Sequence, residues 1–149
     1  MSQPPILTGQ DIAEAYGAVE VRLEQALSAT GTTNREYVIL RVLAARPFES
    51  PASLHKYLAG QRQLALSPAA VSELLAGLES RALASGTAAN DPGPAELTRN
   101  GVELLRRLSE TVAPTTREVF AGIALEDLAT AHNVLRQIID RAASSARDD

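Results

Sequence analysis

Three arginines near the start and end of one predicted helix are the side chains best suited to chemistry, and that chemistry is phosphate binding. The range in question is residues 67–83, SPAAVSELLAGLESRAL. Arg62 precedes it, Arg81 lies near its end and Arg99 follows it. Guanidinium groups and the amino-terminal end of a helix both attract phosphate oxygens. Each arginine alone would be an ordinary surface charge. As a set around a predicted helix, they indicate contact with a nucleic-acid backbone.

The outward face of this helix is composed of small residues, which limits what it can read. Discrimination between base pairs requires Arg, Lys, Asn or Gln at groove-facing positions, and the helix offers none there. Its alanine methyl groups can touch thymine, whereas Glu73 would repel phosphate. A helix that only packs against its neighbour and reads nothing remains the alternative. The candidate DNA-binding residues are Arg62, Gln63, Ser67, Ala69, Ala70, Ser72, Glu73, Ala76, Arg81, Asn90 and Arg99.

Residues for catalysis or metal binding are scarce. The chain has no cysteine and only two histidines, His55 and His132, neither of which has an acidic residue at metal-ligand spacing. Nucleophile-elbow, P-loop, dinucleotide-binding and zinc-protease motifs are all missing from the sequence. We therefore predict no enzymatic activity, no catalytic residue, no metal site and no cofactor.

Length and composition predict one soluble domain over residues 1–149. The net charge is −4, and no apolar run approaches the roughly 18 residues that a membrane span needs. The start, MSQPPILTGQ, lacks the basic and apolar regions of a signal peptide, so a cytoplasmic protein is expected. Residues 33–101 carry seven basic and six acidic side chains between two acidic ends, which supports a nucleic-acid face only weakly.

Capping residues and apolar spacing predict a mainly α-helical chain. Helices are expected to start after Thr8, Thr33, Ser50, Ser67 and Thr98, with a last one from about Leu125. The helices from Ser50 and Ser67 match a helix-turn-helix, and Leu54, Tyr57 and Leu58 are expected to face inward. A turn cluster, NDPGP, predicts a hairpin with strands at 82–87 and about 94–97. Pro114 is expected to kink or end the long fifth helix.

Two short motifs and this order of elements resemble the MarR family of dimeric winged-helix transcription regulators. Leu97-Thr98-Arg99-Asn100-Gly101 is similar to the family's L-T-x-x-G hinge between wing and long helix. Leu78-Glu79-Ser80-Arg81-Ala82-Leu83 is similar to the L-E-x-[RK]-G-L end of its recognition helix, with Ala82 in place of glycine. The resemblance implies a winged helix-turn-helix lobe at 33–101 and dimerisation helices at 8–30 and 102–145.

The sequence departs from the family pattern where DNA would be contacted. Asp91 is followed by Pro92-Gly93, so the arginine that family members commonly carry two positions after the aspartate is missing. The wing also looks about two residues short. Glu73 follows Ser72 where the family often has arginine, and GQRQLAL at 60–66 looks like an insertion between the two helices of the motif.

The resemblance implies a homodimer that binds double-stranded DNA at a pseudo-palindromic site, acts as a repressor and is released by a small aromatic or apolar effector. It also implies a ligand pocket, for which the candidates are Tyr16, Tyr37, His55 and Tyr57. Aromatic residues at helical spacing are more often part of the core than of a ligand site. The alternative function is a winged-helix module that has lost specific DNA readout and binds a ligand or another protein.

Overall fold

The computed structural model describes residues 2–146, and helices dominate this part of the chain. Within it, six α-helices, one 3-10 turn and one two-stranded hairpin follow each other in the order expected of a winged helix. Their bounds are α1 Gly9–Leu27, α2 Asn34–Ala45, α3 Pro51–Gly60, the 3-10 turn Arg62–Leu64, α4 Pro68–Ser80, β1 Ala84–Ser85, β2 Glu96–Leu97, α5 Arg99–Phe120 and α6 Leu125–Ser145.

The predicted helix starts are confirmed, because each capping side chain makes its expected hydrogen bond. The Thr8 hydroxyl accepts from the Asp11 amide at 3.2 Å, and the Asp11 carboxylate accepts from the Thr8 amide at 2.7 Å. Thr33 and Glu36 form a second box of this kind. Ser50 and Ser67 instead precede a proline at the first helical position, where the missing amide hydrogen would have had no partner.

Two local predictions need correction. The strands are shorter than expected: Ala84 pairs with Leu97 and Ser85 with Glu96, and a single bridge joins Phe48 to Ala95. Pro114 was expected to kink or end α5; it does not end the helix, which continues to Phe120, and the kink stays a prediction. A proline removes only one helical hydrogen bond, and packing on either side can outweigh that loss.

The buried core lies in the first 115 residues and is built from helices α1 to α5, the 3-10 turn and the wing strands. Leu54 and Leu58 of α3 are fully buried, as are Val71 and Leu78 of α4. Tyr57, which was expected to face inward, is 38% exposed. It lies three positions after Leu54, at the edge of the face that the two leucines bury, and its ring centre is 5.6 Å from that of Phe48. The other buried apolar residues are Leu27, Tyr37, Ile39, Leu40, Leu43, Phe48, Leu64, Leu75, Leu83, Ala84, Ala95, Leu108 and Val112.

The chain divides into two compact units after Thr115. The second unit contains the end of α5 and all of α6, and none of the 21 residues of α6 is buried. Large apolar side chains on α6 are therefore open to solvent in the single chain; they are Leu125, Val134, Leu135, Ile138 and Ile139. Among the described residues, no helix combines the length and apolar character required to cross a membrane.

Candidate nucleic-acid interface

The outward face of α4 carries small side chains and one carboxylate, as the sequence predicted. Ala69, Ser72, Glu73 and Ala76 are exposed, and Ala70 is half-buried. The opposite face is anchored in the core through Val71, Leu75 and Leu78. Small side chains on a rigid helix allow the backbone to come close to another molecule, but they supply few directional hydrogen bonds.

The first turn of α4 has less free hydrogen-bonding capacity than its sequence suggested. Pro68 has no amide hydrogen, the Ala70 amide donates to the Ser67 hydroxyl at 3.1 Å, and the Val71 amide donates to the Ser67 carbonyl at 3.0 Å. Ala69 therefore carries the one amide of this turn without a hydrogen bond among the described residues. The Ser67 hydroxyl accepts in the cap and keeps its own hydrogen, so it and the Ala69 amide are the donors that this turn can offer a phosphate.

The apparent insertion at 60–66 forms an ordered turn that presents Arg62 and Gln63 to solvent. Leu64 is buried and fixes the turn, and Ala65 closes it in the left-handed region at φ 50°. The Tyr16 hydroxyl of α1 donates to the Gln63 carbonyl at 3.3 Å. Partial burial and the nearby Glu20 carboxylate raise the pKa of Tyr16, so its hydroxyl remains a donor at neutral pH.

The three arginines have different surroundings. Arg62 and Arg99 are exposed, and neither makes an ion pair with any described residue. Arg81 is already paired, because its guanidinium donates to the Glu36 carboxylate at 2.7 Å. A phosphate would have to compete with that carboxylate. Arg62 and Arg99 are therefore the better candidates for contact with the phosphates of a DNA backbone.

The two family-like motifs meet at one junction between α4, β1 and α5. The Leu83 amide donates to the Leu78 carbonyl and the Ala82 amide to the Glu79 carbonyl, both at 2.9 Å, which is the hydrogen-bond pattern of a Schellman cap. Ala82 has the positive φ of 56° that this cap requires. A glycine avoids the steric cost that alanine meets there, which explains why glycine is usual at this position.

The start of α5 is locked to the same junction. The Thr98 hydroxyl accepts from the Gly101 amide at 3.1 Å and donates to the Ala82 carbonyl at 2.5 Å, while the Thr98 amide donates to the Leu83 carbonyl at 3.1 Å. A Cβ atom on Gly101 would lie 2.0 Å from the Leu83 carbonyl oxygen. The threonine and glycine of the L-T-x-x-G hinge thus join the wing to the long helix and the end of α4.

Two wing contacts were missed by sequence reasoning. The wing tip is open, with Asn90 exposed, but Thr87 at its base is buried. The Thr87 amide donates to the Glu79 carboxylate, and its carbonyl accepts from Nε2 of His55, both at 2.8 Å. Pairs separated by 8 and 32 residues leave no periodic signal in the sequence.

The four ligand candidates have different environments. Tyr37 is buried with the Arg41 guanidinium 5.7 Å from its ring centre, His55 is bonded to the wing, and Tyr16 contacts the 3-10 turn. Tyr57 alone among them lines a surface cavity of about 550 Å³. The assignment of these four residues to one pocket remains a prediction.

The cavity at Tyr57 combines aromatic and cationic walls. The Phe48 and Tyr57 rings are 5.6 Å apart at a tilt of 53°, and the Arg46 guanidinium lies 4.4 Å from the Phe48 ring centre. Lys56 contributes a second cation and Glu49 one carboxylate. This surface suits a planar anion better than a cation. In the described part of the chain, no cluster of three or more potential metal ligands occurs.

No protein-family model and no curated protein matches the chain. Solved structures do match. The MarR family protein Rv2887 of Mycobacterium tuberculosis in complex with DNA is 27% identical, and the match covers 89% of this chain and 98% of that one at a TM-score of 0.65. The same protein in complex with p-aminosalicylic acid matches at 25% identity and a TM-score of 0.70, with the same coverage.

A mutant of MarR from E. coli matches at 18% identity and a TM-score of 0.69, covering 92% of this chain and 99% of that one. At this identity the likeness concerns the fold. The order of helices and the two-stranded hairpin agree with the fold of these structures over nearly their whole length. The chain therefore has the winged helix-turn-helix fold of the MarR-family regulators to which it is similar.

Proposed function

We propose that the protein is a cytoplasmic DNA-binding regulator of transcription that acts as a homodimer. The observation that carries the proposal is the match to a MarR family protein in complex with DNA, together with an α4 face that is exposed and unobstructed beside the free cation Arg62. Contacts with the DNA phosphate backbone supply most of the affinity for DNA. The small side chains of α4 let this helix approach the DNA groove closely.

Binding to duplexes tiled across the region upstream of the protein's own coding sequence tests this proposal. At low salt, we expect the full-length chain to shift at least one duplex at submicromolar concentration. The R62A variant should weaken binding to all sequences about equally and reduce the salt slope by roughly one unit. A wild-type chain that shifts no duplex at any salt concentration would contradict the proposal.

The homodimer accounts for the uncovered apolar side chains of α6. Leu135 and Ile138 are 40% and 39% exposed in the single chain, and a further apolar segment, Ile6 and Leu7, is open at the amino-terminal end. Solvation of so many large apolar groups is unfavourable. A second copy of the chain would cover them and would place two α4 helices about 34–36 Å apart on a pseudo-palindromic site.

Repression is the simplest regulatory consequence of a dimer that occupies a promoter and hinders polymerase. A reporter driven by the bound upstream region measures this. Deletion of the gene should raise reporter expression, and restoration of the wild-type gene should lower it again. A fall in expression on deletion would identify an activator instead.

A small aromatic carboxylate is the effector that the cavity chemistry favours. Complexes of Rv2887 with salicylic acid and p-aminosalicylic acid support this ligand class, and the cavity offers Tyr57 for stacking and Lys56 for the carboxylate. Titration of salicylate into the DNA complexes of the wild type, R46A and K56A tests the site through the release of DNA. Loss of this release in both variants supports the site, whereas unchanged release assigns the effector to another pocket.

The second candidate function is a winged-helix module that has lost DNA readout. Glu73 on the exposed face of α4 and the arginine-free wing turn at Pro92-Gly93 favour it. The tiled-duplex experiment separates the two, because this module would bind no duplex while retaining its dimeric state.

A further inference from the structure

One residue at the base of the wing is held by side chains from both helices of the helix-turn-helix. Thr87 is 1% exposed, and it is the one buried residue between Gly86 and Pro94. Its amide donates to the Glu79 carboxylate of α4, and its carbonyl accepts from His55 of α3. The exposed wing tip begins directly after it.

Both hydrogen bonds satisfy backbone groups that have little access to water. A buried amide or carbonyl without a partner is strongly unfavourable, so the position of Thr87 depends on His55 and Glu79. The preceding Gly86 has a φ of +67°, and a Cβ there would lie 2.2 Å from the Pro94 carbonyl oxygen. The two ends of the wing are therefore close together, and among the described residues no other side chain holds the tip by a hydrogen bond.

We propose that His55 and Glu79 are positioning residues that hold the wing against the helix-turn-helix through the Thr87 backbone and so set the orientation in which the wing meets DNA. Glu79 also accepts from the Ala82 amide through its own carbonyl. One residue thus links the end of α4 to the wing. We call the two hydrogen bonds that join the Thr87 backbone to Glu79 and His55 the clamp. The contact with DNA rests on the proposed function, whereas the clamp does not.

The clamp acts through hydrogen-bond acceptors and donors, which gives it a characteristic pattern of variants. E79L removes the acceptor, and H55F removes the donor. E79Q keeps an acceptor oxygen without the charge. T87V removes a hydroxyl that has no hydrogen-bond partner among the described residues, and it leaves both backbone bonds in place.

Hydrogen exchange of the full-length chain without DNA tests the clamp. In E79L and H55F, the Thr87 amide and the wing amides should exchange about tenfold faster or more, while the amides of α3 and α4 keep wild-type protection. E79Q and T87V should resemble the wild type. Wild-type wing exchange in E79L and H55F would overturn the proposal. A matching rise throughout α3 and α4 would also overturn it, because it would indicate general destabilisation.

Hydroxyl-radical footprinting then tests the consequence for DNA. In E79L and H55F, minor-groove protection by the wing should be lost while protection in the major groove at α4 persists. Equal loss at both grooves would contradict a positioning role. If the wild type protects no duplex, the proposed function fails, whereas the exchange experiment still decides whether the clamp exists.

Discussion

Helices α4 and α6 have similar apolar stripes in sequence and very different environments in the structure. Val71, Leu75 and Leu78 of α4 are at most 1% exposed, whereas α6 buries none of its 21 residues. The stripe of α4 is covered by its own chain. That of α6 lacks cover within the chain, which is why we propose that a second copy supplies it. Apolar periodicity identifies the face that needs cover, and it does not identify the molecule that provides it.

Charge substitution on the two faces of α4 should give the largest contrast. L75D places a carboxylate in the core and should lower the free energy of unfolding by about 4 kcal/mol or more. A76D, one residue away on the exposed face, should change it by about 0.5 kcal/mol or less. Urea unfolding at several protein concentrations measures both. A mild effect of L75D would show that α4 is not anchored as described.

The equivalent change on α6 should act on assembly. L135D combined with I138D should convert a dimer to monomers, because two carboxylates cannot be buried cheaply between copies. Sedimentation velocity at micromolar concentration measures this. The thermal midpoint of the wild type, but not of the variant, should rise with protein concentration. A wild type that is a well-folded monomer would refute the homodimer.

Two glycine-to-alanine substitutions sharpen the comparison within the winged-helix lobe. G101A forces a Cβ against the Leu83 carbonyl and should cost about 1–3 kcal/mol. G77A, at a helical site with no atom within 4 Å, should stabilise the protein by about 0.5–1 kcal/mol. Thermal unfolding of both variants shows whether each substitution lowers or raises the stability. Stabilisation by G101A would contradict the close packing of the hinge.

A stabilising change of the same size as that of G77A is expected at Ala82. Its φ of 56° costs a non-glycine residue roughly 1–2 kcal/mol, and A82G relieves that cost while making the unfolded chain more flexible. The net expectation is a gain of about 0.5–1 kcal/mol in unfolding free energy. A loss of stability would mean that the cap does not strain alanine.

Local signals predicted most of the fold, and contacts between distant residues account for what was missed. Thr8, Thr33, Ser50 and Ser67 mark helix starts because each caps an amide two or three residues away. The continuation of α5 through Pro114 to Phe120 is not predicted by the local rule for proline. The exposure of Tyr57 and the short strands were likewise not predicted from local signals.

The candidate interface was predictable only in outline. Small residues on the outer face of α4 were evident from spacing, and that face is exposed as expected. The ion pair of Arg81 with Glu36 spans 45 residues, and the hydrogen bond from His55 to the Thr87 carbonyl spans 32, so neither leaves a pattern in the sequence. The DNA contacts themselves stay a prediction.

The salt dependence of DNA binding tests the central claim, that phosphate contacts rather than base readout give α4 its affinity. Fluorescence anisotropy with the preferred upstream duplex and a random duplex, for wild type and E73Q, provides the data. We expect a steep fall of log affinity with log salt, a shallow preference between duplexes, and tighter binding by E73Q to both, with a gain that shrinks as salt screens the charge. Loss of binding by E73Q to the preferred duplex alone would contradict the account, because Glu73 would then be reading a base.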